Sequence, residues 1–156
     1  MSVPRKINLV QAATDTIKGV WQPHIAGDIN DSQVKIAKFG DVFDWHAHAD
    51  EDEGFLVLQG RIAIDFRDGV VELGEGEFLV VPKSVEHRPR ALTHEPIVLM
   101  VEPSTTINTG TATSSTRTRA CIVTTSGGTR SSSSTTARST SSASSTRCSS
   151  SRADPA

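Results

Sequence analysis

The sequence predicts an all-β domain that folds as a small closed barrel or sandwich. Between residues 33 and 101, short apolar runs alternate with turn sequences rich in glycine and aspartate, which is typical of many short strands joined by tight turns. This pattern stops near Gly110 and does not resume in residues 111–156. A domain of about 105 residues is long enough to bury one hydrophobic core.

Each predicted element follows from its local pattern. Residues 9–17 have the spacing of one short helix. The predicted strands are residues 33–39, 55–58, 61–66, 70–73, 78–81 and 96–101, and a further strand begins at His87. Arg67-Asp68-Gly69 lies between two strand patterns and predicts a hairpin turn.

Residues 111–156 form a second region dominated by serine, threonine and arginine. The region has six arginines, no lysine and one aspartate, and very few apolar residues. Such a segment buries too little apolar surface to offset the entropy of ordering. We therefore expect a folded domain over residues 1–110 and a disordered tail over residues 111–156. The tail is either a solvated appendage or the product of a reading-frame shift, since the globular pattern ends at Asn108-Thr109-Gly110.

The net charge of −2 describes neither region. Residues 1–102 contain 17 acidic and 10 basic residues, so the domain is acidic and the tail basic. The tail arginines are dispersed and have no aromatic neighbours for base stacking, so we expect no nucleic-acid partner. No stretch approaches 18 apolar residues and the N-terminus lacks an apolar signal core, which predicts a cytoplasmic protein without membrane association. Both cysteines, Cys121 and Cys148, lie in the tail, so the domain has no disulfide and no cysteine ligand.

Two histidine-containing segments flank the central strands. The first contains Gly40, His46, His48, Glu53 and Gly60. His46 and His48 are two residues apart, so on an extended strand their imidazoles leave the same face. Neutral imidazoles together with a carboxylate suit first-row divalent metals.

The second segment contains Gly76, Pro82 and His87. Over about residues 6–110 the chain resembles the cupin superfamily, whose first motif the earlier segment fills without a gap. In the second motif Ser84 stands where the family has glycine, and Ala91 where it has asparagine. The resemblance implies a jelly-roll barrel, a double-stranded β-helix, with one metal. Serine tolerates a positive φ less well than glycine, so the turn at Ser84 departs from the family pattern.

The resemblance also implies which residues hold the metal: His46, His48, Glu53 and His87. The family spacing of six residues before Gly60 selects Glu53, whereas Asp52 lies one residue too early. Asp44 shares the face of His46 if the strand is regular, where it would orient a ligand or act as a general base. The alternative is that Asp44 is a loop acid that precedes the strand.

Other residues are expected around the pocket or away from it. The apolar residues that could form its walls are Phe55, Phe78, Leu99 and Val101, and the polar residues that could reach it are Lys35 and Gln33. His24 and His94 lie in turn-like sequence, and both are expected at the surface.

A metal held by three imidazoles and one carboxylate retains up to two exchangeable positions for a small organic substrate or dioxygen. The resemblance therefore implies a metal-dependent enzyme that uses Fe(II), Mn(II), Ni(II) or Zn(II), of the dioxygenase, isomerase or lyase type, which the fold does not select. The alternative is a non-catalytic module that binds a small ligand or a metal. A third possibility is a defunct protein damaged by its tail.

The strand segments 55–58 and 78–81 are apolar on both faces. In a small sheet this pattern indicates that a second layer covers the outer face. Two-fold pairing is the commonest way to provide such a layer, so we expect a homodimer.

Overall fold

The computed structural model describes residues 3–111 and 121–122. Apart from Thr111 and the short strand at 121–122, the segment predicted to be disordered lies outside the described residues. The described part contains one helix, α1 (Leu9–Thr16), and nine strands. The strands are β1 (His24–Ile29), β2 (Ser32–Lys38), β3 (Glu53–Gln59), β4 (Ile62–Phe66), β5 (Gly69–Leu73), β6 (Phe78–Val81), β7 (His87–Ala91), β8 (Ile97–Pro103) and β9 (Cys121–Ile122).

The strands form two sheets. The larger sheet has the order β6-β3-β8-β2-β1-β9 and the smaller one the order β5-β4-β7. All pairs are antiparallel except β1 with β9. The all-β prediction is confirmed, the helix and six predicted strands lie within a few residues of their expected bounds, and the seventh begins at His87 as predicted.

Strand β1 was missed. It follows Pro23 and contains Gly27 and Asp28, residue types that are uncommon in strands. The strand forms because it pairs along β2, with Asn30 at the connecting turn in a left-handed conformation (φ 52°). The prediction that His24 lies at the surface is wrong, since it begins this strand and is only 8% exposed.

Two hydrophobic clusters stabilise the fold on opposite faces of the larger sheet. The interior cluster, between the sheets, includes Phe39, Phe55 and Val57. The second cluster packs α1 against the outer face of the sheet, where Ala13 contacts the group that contains Ile36. The helix starts at Leu9 because the Asn8 side chain accepts a hydrogen bond from the Gln11 amide, a favourable N-cap. The chain's own helix thus covers part of the two-sided apolar surface.

Side chains alternate between the two faces of the sheet along β3, β6 and β8, and this alternation decides which residues face the interior. Phe55 and Met100 are paired across β3 and β8, and both belong to the interior cluster. Leu99 packs instead on the α1 side, and Phe78 is 57% exposed. The prediction that Phe55 lines the pocket is confirmed, whereas those for Phe78, Leu99 and Val101 are wrong because alternation places them on the outer face.

Within the described residues, no helix has both the length and the apolar character needed to cross a membrane.

Candidate metal centre

The site begins with a two-residue bridge between distant parts of the chain. His46 and His87 form an isolated antiparallel pair in which each backbone amide donates to the other's carbonyl, at 3.0 and 2.9 Å. The surrounding segment is not a regular strand, and its other bridge joins Val42 to Arg90. Asp44 is consequently exposed, so the expectation of an inward carboxylate is wrong and Asp44 is the loop acid of the alternative.

Main-chain carbonyls orient two of the imidazoles. His46 Nδ1 lies 2.9 Å from the Asp44 carbonyl, and His87 Nδ1 lies 3.0 Å from the Val85 carbonyl. Because a carbonyl only accepts, each Nδ1 carries the hydrogen, which leaves the Nε2 lone pair for another partner. The contribution of Asp44 is thus its backbone oxygen.

Glu53, the first residue of β3, completes the group. Its Oε2 lies 3.3 Å from His48 Nε2 and 3.4 Å from His87 Nε2. Four buried ligand atoms lie within 4.8 Å of one another, one from each of His46, His48, Glu53 and His87. The structure therefore brings together the four residues predicted from the sequence.

Three of these atoms have no hydrogen-bond partner among the described residues, although they are buried: His48 Nε2, Glu53 Oε2 and His87 Nε2. Glu53 Oε2 is close enough to the two Nε2 atoms for electrostatic attraction, but neither contact has the geometry of a hydrogen bond. Buried polar atoms without a partner are costly, and native proteins contain few of them. A divalent cation would satisfy all three atoms at once, so this donor set fits a metal.

The pKa shifts favour the protonation state that metal binding requires at Glu53 and His46, but not at His48. Burial alone would raise the pKa of Glu53, but His48 and His87 outweigh it and hold the pKa at about 2. Burial, reinforced by repulsion from His87, lowers the pKa of His46 to about 4. Burial opposes protonation of His48 as well, yet the adjacent Glu53 carboxylate keeps its pKa above the usual value. At neutral pH the site therefore holds one carboxylate and a neutral His46.

The turn before His87 is tied to the segment that carries His48. Ser84 has a φ of 65°, so serine adopts the left-handed conformation expected at the family's glycine position. Its amide donates to the His48 carbonyl at 2.6 Å and its hydroxyl to the Ala49 carbonyl at 3.1 Å. Asp52 accepts a hydrogen bond from the Lys83 amide at 2.8 Å, so it stabilises this turn.

Comparison with known proteins identifies the family of this chain. The family model described as cupin domain, Cupin_2, matches residues 33–102. The chain is 42% identical over 87 residues to protein YdbB of Bacillus subtilis (strain 168). The matched region covers 55% of this chain and 77% of that protein. The chain belongs to the cupin family.

Solved structures of similar proteins have the same fold. A cupin-2 domain containing protein from Shewanella frigidimarina NCIMB 400 is 39% identical with a TM-score of 0.56, covering 62% of this chain and 93% of that one. Protein NMB1881 from Neisseria meningitidis is 36% identical with a TM-score of 0.56, covering 64% of this chain and all (100%) of that one.

The cupin pocket opens beside the ligands and is mainly apolar. Its cavity of about 40 Å³ has room for about three water molecules. His46 and Glu53 line it together with Trp21, Phe39, Phe43, Phe55, Met100 and Asn108. The Phe43 and His46 rings are in T-shaped contact at a centroid distance of 5.3 Å, which restricts the orientation of this imidazole.

Sequence reasoning missed Glu102, which forms a buried ion pair near the metal ligands. Its Oε1 lies 2.6 Å from Lys35 Nζ, and Lys35 also donates to Asn108 Oδ1 at 3.2 Å. Burial, and then the negative charge of Glu53, raise the pKa of Glu102 to about 7, although Lys35 opposes this shift. The sequence did contain a signal for Glu102: it lies two residues after Met100 on the same strand, so both side chains point to the inward face. Gln33, the other polar residue considered, instead bonds the exposed Asp28 carboxylate at 3.1 Å.

Proposed function

We propose that this cupin binds one divalent transition metal through His46, His48, Glu53 and His87, and that it uses the metal to transform a small organic substrate. The convergence of three buried ligand atoms that lack hydrogen-bond partners carries this proposal. Three imidazoles and one carboxylate leave exchangeable positions on Fe(II), Mn(II), Ni(II) or Zn(II). When bound, such a metal supplies Lewis acidity, and iron adds redox chemistry with dioxygen.

The protein's own residues determine what can reach the centre. The Glu53 carboxylate offsets part of the charge of a bound cation, and its buried position keeps the local dielectric low. The walls formed by Phe39, Phe43 and Phe55 exclude water and favour an apolar or aromatic ligand. Asn108 adds one polar contact at the pocket wall. The pocket therefore favours a small, largely apolar substrate with one or two oxygen atoms for the metal.

A non-catalytic cupin module that binds a small ligand is the second candidate. Among the described residues that line the cavity, only His46 and Glu53 have titratable side chains, and both are assigned to the metal. A reaction that needs a separate acid or base in direct contact with the substrate would therefore lack one. A ligand that binds the metal-loaded protein in a calorimeter and is recovered unchanged would favour this second function.

Metal content tests the primary proposal. We expect about one metal per chain in the purified wild type and a strong loss in His46→Ala and His87→Ala, with little change in far-ultraviolet circular dichroism. His94→Ala is the matched control, because His94 is exposed. Equal metal content in the wild type and in the double variant would refute the ligand assignment. A screen of small substrates with the metal-loaded protein then tests for catalysis.

A further inference from the structure

Residues 106–111, here called the C-terminal strap, lie against the segment that carries His46 and His48. Thr106 and Thr109 are buried, and Thr109 is only 1% exposed. The Thr111 amide donates to the Ala47 carbonyl at 3.1 Å, and the Ala47 amide donates to Thr111 Oγ1 at 3.1 Å. Ala47 lies between the two histidines, so the strap holds the backbone that carries both ligands.

Gly110 makes the closest approach within this contact. It has a φ of 46°, and its amide donates to the Ile107 carbonyl at 2.7 Å. A Cβ atom at this position would lie 2.4 Å from the Ala47 carbonyl oxygen and 3.2 Å from His48 Cε1. The first distance is shorter than any normal contact and involves backbone, so a side chain here requires the strap or the segment at 47–48 to move. Cε1 is bonded to Nε2, the ligand atom of His48, so a movement of that segment reaches the metal centre directly.

We propose that Gly110 is a positioning residue for His48 and that the C-terminal strap is a structural part of the metal centre. This inference rests on the proposed metal-binding function. Metal–ligand distances in proteins are held within about 0.2 Å. A displacement of a few tenths of an ångström at His48 would therefore weaken binding, and loss of a group that orients a ligand costs about 10- to 100-fold in metal affinity.

The test compares two glycine substitutions in the full-length chain. Gly110→Ala introduces both an unfavourable φ and the clash with Ala47 and His48. Gly76→Ala is the matched control, because Gly76 has a φ of 80° but no atom within 4 Å of its Cβ position. The difference between the two variants therefore isolates the close contact from backbone strain.

Metal affinity and the ligand field are the readouts. Co(II) affinity is measured by competition with a chromophoric chelator, and the visible spectrum of bound Co(II) reports the coordination geometry. We expect Gly110→Ala to bind Co(II) at least about tenfold more weakly, with a changed spectrum. Gly76→Ala should remain within about twofold of the wild type with an unchanged spectrum, since it leaves the ligands in place.

The outcomes separate this inference from the function on which it rests. A wild-type chain that binds no Co(II) would refute the proposed function and this inference with it. Normal wild-type binding together with unchanged affinity and spectrum in Gly110→Ala would refute this inference alone.

If Gly110→Ala does not fold, the Thr111→Val variant provides the test of the proposal. Valine keeps the shape of threonine but cannot accept the hydrogen bond from the Ala47 amide. We expect about a threefold loss of Co(II) affinity, in the range of one neutral hydrogen bond. An unchanged affinity would overturn the proposal.

Discussion

Replacing Glu102 with glutamine should make the metal-free protein progressively more stable, relative to the wild type, as the pH rises. Glu102 is only 2% exposed, and burial together with the nearby Glu53 charge raises its pKa from 4.5 to about 7. The folded state therefore binds more protons than the unfolded state between these values. The stabilising contribution of Glu102 is fully present below pH 4.5 and is lost as the pH rises through 7. The rise in pKa corresponds to about 3 kcal/mol in the free energy of unfolding.

Urea unfolding of the metal-free wild type and Glu102→Gln, from about pH 4.5 to about pH 7.5, measures this contribution. Glutamine keeps the shape of Glu102 and an oxygen that can accept from Lys35, so the pH dependence of the difference between the two proteins reports the titration of the Glu102 carboxyl group. The pKa of His46, lowered to about 4, makes the stability of both proteins rise with pH over part of the same range. That contribution largely cancels in the difference between the two proteins.

The difference in unfolding free energy, Glu102→Gln minus wild type, should thus increase by about 3 kcal/mol across the range. Lys35→Met is the companion variant. This variant removes the Lys35 ammonium, which opposes the rise in the pKa of Glu102. The loss of stability with rising pH should therefore extend above pH 7. A difference that stays constant with pH, or that decreases, would refute the reasoning.

Two further predictions concern Ser84 and the outer face of the sheet. Ser84→Gly should stabilise the metal-free protein by up to about 1 kcal/mol in urea unfolding, because the left-handed backbone costs serine about 1–2 kcal/mol. Loss of the serine hydroxyl hydrogen bond and the greater freedom of glycine when unfolded offset part of this gain, and a clear destabilisation would contradict it. We also expect a homodimer that pairs through edge strand β6, where Phe78 is 57% and Val80 48% exposed. Phe78→Glu should then give monomers by light scattering at tens of micromolar, whereas Val70→Glu on β5, at a residue 54% exposed, should not. A wild-type monomer would exclude this pairing.

Local patterns were enough to predict most elements, and the resemblance to the cupin motifs selected the four proposed ligand residues. Strands β2 to β6 and β8 follow from short apolar or alternating runs between turns, and alternation is a property of neighbouring residues. His46, His48 and Glu53 match the first cupin motif, which lies within one segment. The sequence put the left-handed turn at Ser84 in doubt, because serine tolerates a positive φ less well than glycine, and the structure shows that the turn forms nonetheless.

The remaining features depend on contacts between residues far apart in the chain. Strand β1 exists because β2 pairs with it, and Asp44 points outward because a bridge between His46 and His87 replaces a regular strand. Glu102 meets Lys35 across 67 positions, and Gly110 lies against His48 from the far end of the domain. The sequence by itself determined which residue types could hold a metal. Only the tertiary structure decided which distant groups surround them, because packing selects those contacts and no local pattern encodes them.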